Sequence, residues 1–115
     1  MRLPNAHLAR IDRAKVCEYL LNPGHPRGAP KARFFSQFGF TAGSWEILVS
    51  ALLEHGQAHD VASHSETAFG RRYEIDGQVR TPDGRRPHIR TVWNIEPLEI
   101  APRLITAYPL WRATR

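Results

Sequence analysis

Histidine, arginine, lysine and tyrosine are the residue types in this sequence that could carry out a reaction. Cleavage of RNA without a metal ion requires a base that takes the proton of a 2′-hydroxyl, an acid that protonates the leaving oxygen, and cations that stabilise the charge on the phosphorane. The residues that could supply these groups are Arg90, His25, Lys31 and Tyr73. The residues that could bind the nucleic acid around them are Arg27, Arg33, Arg72 and His88.

Several of these residues also have ordinary structural roles that the sequence leaves open. His25 and Lys31 bracket a loop rich in proline and glycine. His25 could hydrogen-bond the backbone of that loop, and Lys31 could be an exposed lysine in the first turn of a helix. A cluster of His88, Arg90 and Arg72 could equally be the solvated face of a sheet.

Other familiar chemistries have no sequence support. The sequence contains no HExxH, no paired CxxC, no acidic cation loop, no phosphate-binding glycine loop and no GxSxG. Its six histidines are scattered, and the single cysteine, Cys17, excludes an internal disulfide and a thiolate metal site. We therefore predict no metal and no cofactor.

The charge of the chain is positive and is carried mainly by arginine. Sixteen Lys and Arg residues stand against eleven Asp and Glu, which gives a net charge of +5, and only Lys15 and Lys31 are lysines. Arginine binds phosphate in a bidentate way, so this charge suits a nucleic acid. An arginine-rich composition that reflects a high-GC genome is the alternative explanation, because a charge of +5 alone is weak evidence.

The N-terminal half has helical periodicity. Asp12 is a candidate cap for a helix over about 13–21, followed by a rigid exposed loop over 22–30. The spacing of the apolar residues predicts a short helix from Lys31 that closes at Gly39, and a longer helix that is capped by Thr41 and ends at Gly56.

The C-terminal half has the two-residue period of strands. We predict strands over about 57–66, 70–80, 86–96 and 102–110, with a tight turn at 81–84 between the second and the third. In the third strand His88 and Arg90 fall on a polar face, next to Arg72 and Glu74 of the second. The same alternation assigns Tyr73, Thr106 and Tyr108 to the opposite face, which is expected to pack on the core. His55, His59 and His64 are expected to form a titrating surface cluster.

These elements predict one α+β domain over residues 1–115, in which N-terminal helices pack on one face of a four-stranded antiparallel sheet. No segment has the roughly 20 apolar residues of a membrane helix, and the start of the sequence lacks the pattern of a signal peptide. We therefore expect a cytoplasmic protein with no membrane partner.

The sequence also resembles a known family along most of its length. Leu3-Pro4-Asn5-Ala6, the stretch 19–28 (YLLNPGHPRG), the stretch 31–35 (KARFF) and Gly39-Phe40-Thr41 closely resemble a family of bacterial domains, number 6883 among the domains of unknown function. Further similar stretches are 70–73 (GRRY), 90–93 (RTVW) and 102–109 (PRLITAYP). The positions that match include His25, Lys31, Tyr73, Arg90, Thr106 and Tyr108, whereas His88 is outside the pattern.

That family resembles the barnase, EndoU, colicin and RelE grouping (the BECR fold), whose members place N-terminal helices against a four-stranded antiparallel sheet and are mostly ribonuclease toxins. The resemblance implies a metal-independent endoribonuclease, as the toxin of a toxin–antitoxin pair with RNA as substrate and a small acidic antitoxin or immunity protein as partner. In that hypothesis Arg90 and Lys31 hold the scissile phosphate while His25 or Tyr73 moves protons. The alternatives are a non-catalytic binding module, such as an immunity or antitoxin-like protein, and a domain that has lost its nuclease activity.

Overall fold

The structure is a computed structural model that describes residues 1–110. Three helical regions precede the sheet. The helix α1 (Arg13–Lys15) continues as a π-helical segment over Val16–Leu20, α2 spans Ala29–Gln37, and α3 spans Trp45–Ala58. In addition, Ala6–Leu8 and Ala42–Ser44 form single 3₁₀ turns. No helix within residues 1–110 is long and apolar enough to cross a membrane.

The helix boundaries largely follow the sequence signals. Pro30 lies in the first turn of α2, where its missing N–H costs nothing, so the helix begins two residues before Lys31 and the preceding loop is shorter than predicted. Gly39, with φ of +100°, follows the end of α2. Thr41 caps the 3₁₀ turn that leads into α3, since its Oγ1 accepts a hydrogen bond from the Ser44 amide at 3.2 Å.

Two sequence predictions about helix ends were wrong. Asp12 precedes α1, but its side chain makes no capping bond and instead lies 3.7 Å from the guanidinium of Arg103. Gly56 does not end α3, which continues to Ala58. A Cβ at Gly56 would lie 2.7 Å from the ring of Trp93, so this glycine permits close packing of the helix on the sheet.

The sheet is an antiparallel meander in the order β1-β2-β3-β4. The strands are β1 (Val61–Thr67), β2 (Gly70–Gln78), β3 (His88–Ile95) and β4 (Arg103–Pro109). The first strand begins later than predicted because α3 extends to Ala58. The prediction of an α+β fold with helices against a four-stranded antiparallel sheet is confirmed.

A buried polar network lies where α3 meets the sheet. His55 is 1% exposed, so the prediction that it belongs to a surface cluster was wrong. Its Nδ1 lies 2.9 Å from Oγ1 of Thr91, its Nε2 lies 3.1 Å from the carbonyl of Gly77, and Thr91 accepts a further bond from Nε1 of Trp93 at 2.9 Å. These bonds fit one arrangement, in which neutral His55 donates from Nε2 and accepts from Thr91.

The face of β4 was also predicted wrongly. Val92 lies opposite Thr106, whereas the next residue, Trp93, lies opposite Leu104, so Ile105 is an extra residue in β4. Such a bulge changes which alternate residues face the core. Leu104 and Ala107 are buried, and Thr106 and Tyr108 share the face of Arg90.

Candidate functional site

The side of the sheet that carries Arg90 is here named the polar face. Register places side chains of β2, β3 and β4 on it in rows, with Asp76, Arg90 and Tyr108 in one row. Its other polar members include Arg72, Glu74, His88, Asn94 and Thr106. The prediction that Arg72 and Glu74 share a face with His88 and Arg90 is confirmed by this register.

Arg90 is held tightly by two carboxylates of β2. Its Nε lies 2.6 Å from Oδ1 of Asp76 and its second terminal nitrogen lies 2.9 Å from Oδ2, which is a bidentate pair, and Glu74 lies 3.4 Å away. The hydrogen bonds that Arg90 donates to Asp76, with a further contribution from Tyr108 opposite, raise the pKa of Arg90 above its usual value despite partial burial. Much of the charge of Arg90 is therefore neutralised before any ligand arrives.

Tyr73 lies on the other side of the sheet. It is 4% exposed, is paired with Trp93 across β2 and β3, and belongs to the hydrophobic core. Its phenol cannot meet a substrate on the polar face together with Arg90. The structure therefore does not bring Tyr73 together with Arg90, because the same alternation that predicted its burial also separates the two side chains.

A different tyrosine is surrounded by reactive groups. The hydroxyl of Tyr19, from the π-helical segment after α1, lies 3.1 Å from Oγ1 of Thr106 on β4. The ammonium groups of Lys15 and Lys31 lie 5.2 and 5.4 Å from the centre of its ring. The ring of His25 meets it edge to face at 5.0 Å. We name these five residues the Tyr19 cluster.

The surroundings of Tyr19 favour its ionised form. Partial burial opposes ionisation and raises the pKa, but the hydrogen bonds of Thr106 and Lys31 and the positive charges of Lys31 and Lys15 together outweigh it. The net effect is a lowered pKa of Tyr19. A phenol of this kind is a better proton acceptor at neutral pH than a free tyrosine, because more of it is phenolate.

His25 is fixed in one tautomer by its own loop. Its Nδ1 accepts hydrogen bonds from the amides of Arg27 at 3.0 Å and Gly28 at 2.9 Å, so the proton of the neutral ring is on Nε2. Within residues 1–110 the Nε2 atom has no hydrogen-bond partner. His25 therefore serves the structural role considered from the sequence and also presents one N–H donor beside Tyr19.

A groove of about 650 Å³ runs between α1 and β4, and Tyr19, His25 and Thr106 line it. Arg27 and Arg103 are basic residues at its sides. Gly28 permits the close approach of loop and helix, since a Cβ there would lie 2.2 Å from the carbonyl oxygen of Tyr19. Among residues 1–110, no three His, Cys, Asp or Glu side chains are placed to hold a metal ion.

The structure thus brings together His25 and Lys31, places Arg27 beside them, and leaves Arg90 a short distance along the polar face. Arg72 is exposed on that face, while Arg33 on α2 and His88 on β3 line a separate cavity. Sequence reasoning missed Tyr19 as a site residue because it falls at helical spacing with buried Val16 and Leu20. The signal that could have found it is a polar hydroxyl in an otherwise apolar stripe, directly before the loop that holds His25.

Residues 2–111 match the family described as domain of unknown function (DUF6883). The chain belongs to the DUF6883 family. A solved structure similar to this DUF6883 chain is titled a contact-dependent growth inhibition toxin–immunity protein complex from Klebsiella pneumoniae 342. The similarity covers 87% of this chain and 98% of the other, with a TM-score of 0.70 and 15% sequence identity, so it shows a shared fold. No curated protein matches the DUF6883 chain.

Proposed function

We propose that this chain is a toxin-like endoribonuclease domain that cleaves RNA with the Tyr19 cluster. The observation that carries the proposal is the phenol of Tyr19, hydrogen-bonded to Thr106 and flanked by two lysines that lower its pKa, in a groove of about 650 Å³. A base and cations at one point are what transesterification of RNA requires.

Tyr19 and Lys31 of the cluster can carry out both proton transfers of the reaction. The phenolate of Tyr19 takes the proton of the 2′-hydroxyl, and the 2′-oxygen forms a bond to phosphorus as the bond to the 5′-oxygen breaks. The Lys31 ammonium gives a proton to the leaving 5′-oxygen, and a proton returns from Tyr19 to Lys31 through water. The products are a 2′,3′-cyclic phosphate and a 5′-hydroxyl.

The other cations and donors of the site hold the phosphate. The Lys15 ammonium and the ring of His25 both lie beside the ring of Tyr19. Lys15 and the Nε2–H of His25 could therefore stabilise the charge that develops on the non-bridging oxygens. Because two backbone amides occupy Nδ1 of His25, we assign it hydrogen-bond donation and leave proton transfer to Tyr19. Arg90 lies opposite Tyr108, and Asp76 and Glu74 already neutralise much of its charge. We therefore assign Arg90 a role in positioning its neighbours on the polar face.

The shared fold supports a toxin system as the biological setting. The similar structure is titled a complex between a growth inhibition toxin and its immunity protein, and a chain of charge +5 suits an acidic protein that covers its groove. We therefore propose a small acidic immunity or antitoxin protein as the partner.

The test is expression of the wild type and of Tyr19→Phe in a bacterial host, followed by growth curves and analysis of total RNA in metal-free buffer. Tyr73→Phe is the matched control, because it removes the same hydroxyl on the core face. We expect growth arrest and RNA fragments with wild type and Tyr73→Phe, and a loss of roughly 100-fold or more in cleavage with Tyr19→Phe. Cleavage by Tyr19→Phe at the wild-type rate would refute the assignment, and intact RNA with all three proteins would refute the nuclease.

A non-catalytic binding module is the second candidate. Three large apolar residues are exposed at one end of the sheet, namely Phe69 (79%), Leu98 (103%) and Ile100 (62%), and such patches often mark protein interfaces. This candidate predicts a tight protein complex without turnover and tolerance of His25 substitution. Toxicity that is lost on substitution of the groove residues and kept on substitution of these apolar residues would refute this candidate.

A further inference from the structure

A second cavity lies at the other end of the polar face, between α2 and the ends of β3 and β4. Its volume is about 500 Å³, within the range of small-molecule sites. Phe34 and Phe38, whose rings lie 5.0 Å apart, line it from α2, and His88 and Pro109 line it from the sheet. Its surface is thus mainly apolar and aromatic, and its polar lining residues are His88, Arg33 and Gln37.

The imidazole of His88 has no hydrogen-bond partner among residues 1–110. Its Nδ1 is buried and unpaired, although buried polar atoms in proteins are nearly always paired. A half-turn of the ring about the Cβ–Cγ bond would exchange the positions of Nδ1 and Cδ2. A ligand in the cavity that offers a donor or an acceptor could therefore hydrogen-bond this otherwise unpaired imidazole.

The cavity and the Tyr19 cluster lie along the same face of the sheet. His88 and Arg90 lie two residues apart on the same side of β3, Arg90 lies opposite Tyr108, and Thr106 is the next residue of β4 on that face. The row of His88 and the row of Thr106 are separated by about 13 Å at the usual rise of a strand. Arg33, which also lines the cavity, is an exposed cation at its edge with no ion-pair partner in residues 1–110.

We propose that this cavity is a nucleobase subsite, which binds a base near the scissile phosphate and thereby gives the nuclease a sequence preference. The proposal rests on the proposed function of the Tyr19 cluster. A nucleotide has a base with flat faces for contact with Phe34 and Phe38 and a polar edge for His88, and its phosphate suits Arg33. These are the three kinds of group that the cavity offers.

The test measures binding by the full chain carrying Tyr19→Phe, so that cleavage is slow on the time scale of the measurement. The probes are fluorescent single-stranded RNA pentamers with all bases present, and the same pentamers with one abasic ribose at each position in turn. We expect one abasic position to weaken binding roughly tenfold or more. Introducing His88→Ala should weaken binding of the intact pentamer and remove most of its advantage over the abasic one.

Two controls separate the possible failures. Arg33→Ala should weaken the intact and abasic pentamers by the same factor, because it acts on phosphate, and thermal melts establish that each variant is folded. Equal binding of all pentamers, or an unchanged abasic effect in both His88→Ala and His88→Gln, would overturn the nucleobase subsite. If the wild type cleaves RNA in parallel reactions, the proposed function survives that result. If no pentamer binds and the wild type leaves RNA intact, the nucleobase subsite and the proposed function both fail.

Discussion

The stability of the protein should fall as the pH is lowered through the range in which an exposed histidine becomes charged, and His55 should be a main cause. Burial in the polar network between α3 and the sheet, together with the neighbouring charge of His59, lowers the pKa of His55 from the usual histidine value of about 6.5 to about 4. Below about pH 6.5 the unfolded chain therefore binds a proton at this residue that the folded chain does not bind.

The sign and the size of the effect follow from this difference. Because the unfolded state holds more protons between the two pKa values, the free energy of unfolding decreases as the pH falls. The loss reaches roughly 2 kcal/mol at about pH 5 and roughly 3 kcal/mol once the pH is below both values. Either figure is a substantial part of the roughly 5–15 kcal/mol that stabilises a typical domain.

Urea denaturation of the wild type and of His55→Gln between about pH 7 and about pH 5 is the measurement. Glutamine can donate to the Gly77 carbonyl and accept from Thr91, as neutral His55 does. The variant should lose about 2 kcal/mol less than the wild type over this interval. His64→Gln, a substitution at an exposed position of β1, is the control and should retain the wild-type pH dependence.

If the free energy of unfolding changes with pH equally in the wild type and His55→Gln, the reasoning is refuted. They would mean that the folded protein accepts the proton on His55 without penalty, through rearrangement or entry of water into the network. A curve for His64→Gln that also flattened would show that the effect is general to histidine removal.

The remaining predictions concern packing, backbone strain and ionisation. Gly56→Ala should destabilise the fold by about 1–3 kcal/mol in urea denaturation, because the new Cβ meets the ring that packs on α3, whereas Gly43→Ala, with no atom within 4 Å of its Cβ, should not. Leu98→Gly should retain or raise the melting temperature. Leu98 is fully exposed with φ of +70°, and glycine at this position relieves backbone strain worth at most about 1 kcal/mol; a clear fall in the melting temperature would contradict this. The ultraviolet titration of Tyr19 should show a pKa below the usual tyrosine value, and Lys31→Met should raise that pKa; an unchanged titration in the variant would show that Lys31 does not act on the phenol.

Most of the sheet could be predicted from the sequence, because buried and polar residues alternate regularly along β2 and β3, where the strand register is also unbroken. Ile75, Ile89 and Trp93 are buried as the two-residue period predicts, and Arg90 lies on the opposite face. The period failed in β4 because a bulge has no distinct residue signature there: Ile105 is as strand-like as its neighbours.

The candidate site could be predicted only in part. His25 and Lys31 were found because a turn-rich loop holds them, and the structure places both beside Tyr19. Tyr19 itself was missed because its neighbours at helical spacing are core residues, and Thr106 was missed through the bulge. Contacts between a helix and a strand 87 residues apart depend on tertiary packing, which local patterns do not contain.

The extra residue in β4 also changes how related sequences should be aligned with this one. If Ile105 were removed, Leu104 would still face the core and Thr106 would still face Tyr19, because strict alternation would then connect them. A relative one residue shorter at this point could keep the same site, whereas a single deletion within the regular register of β2 or β3 would turn the remaining side chains over. Gaps at Ile105 are therefore compatible with shared function in a way that gaps in the two central strands are not.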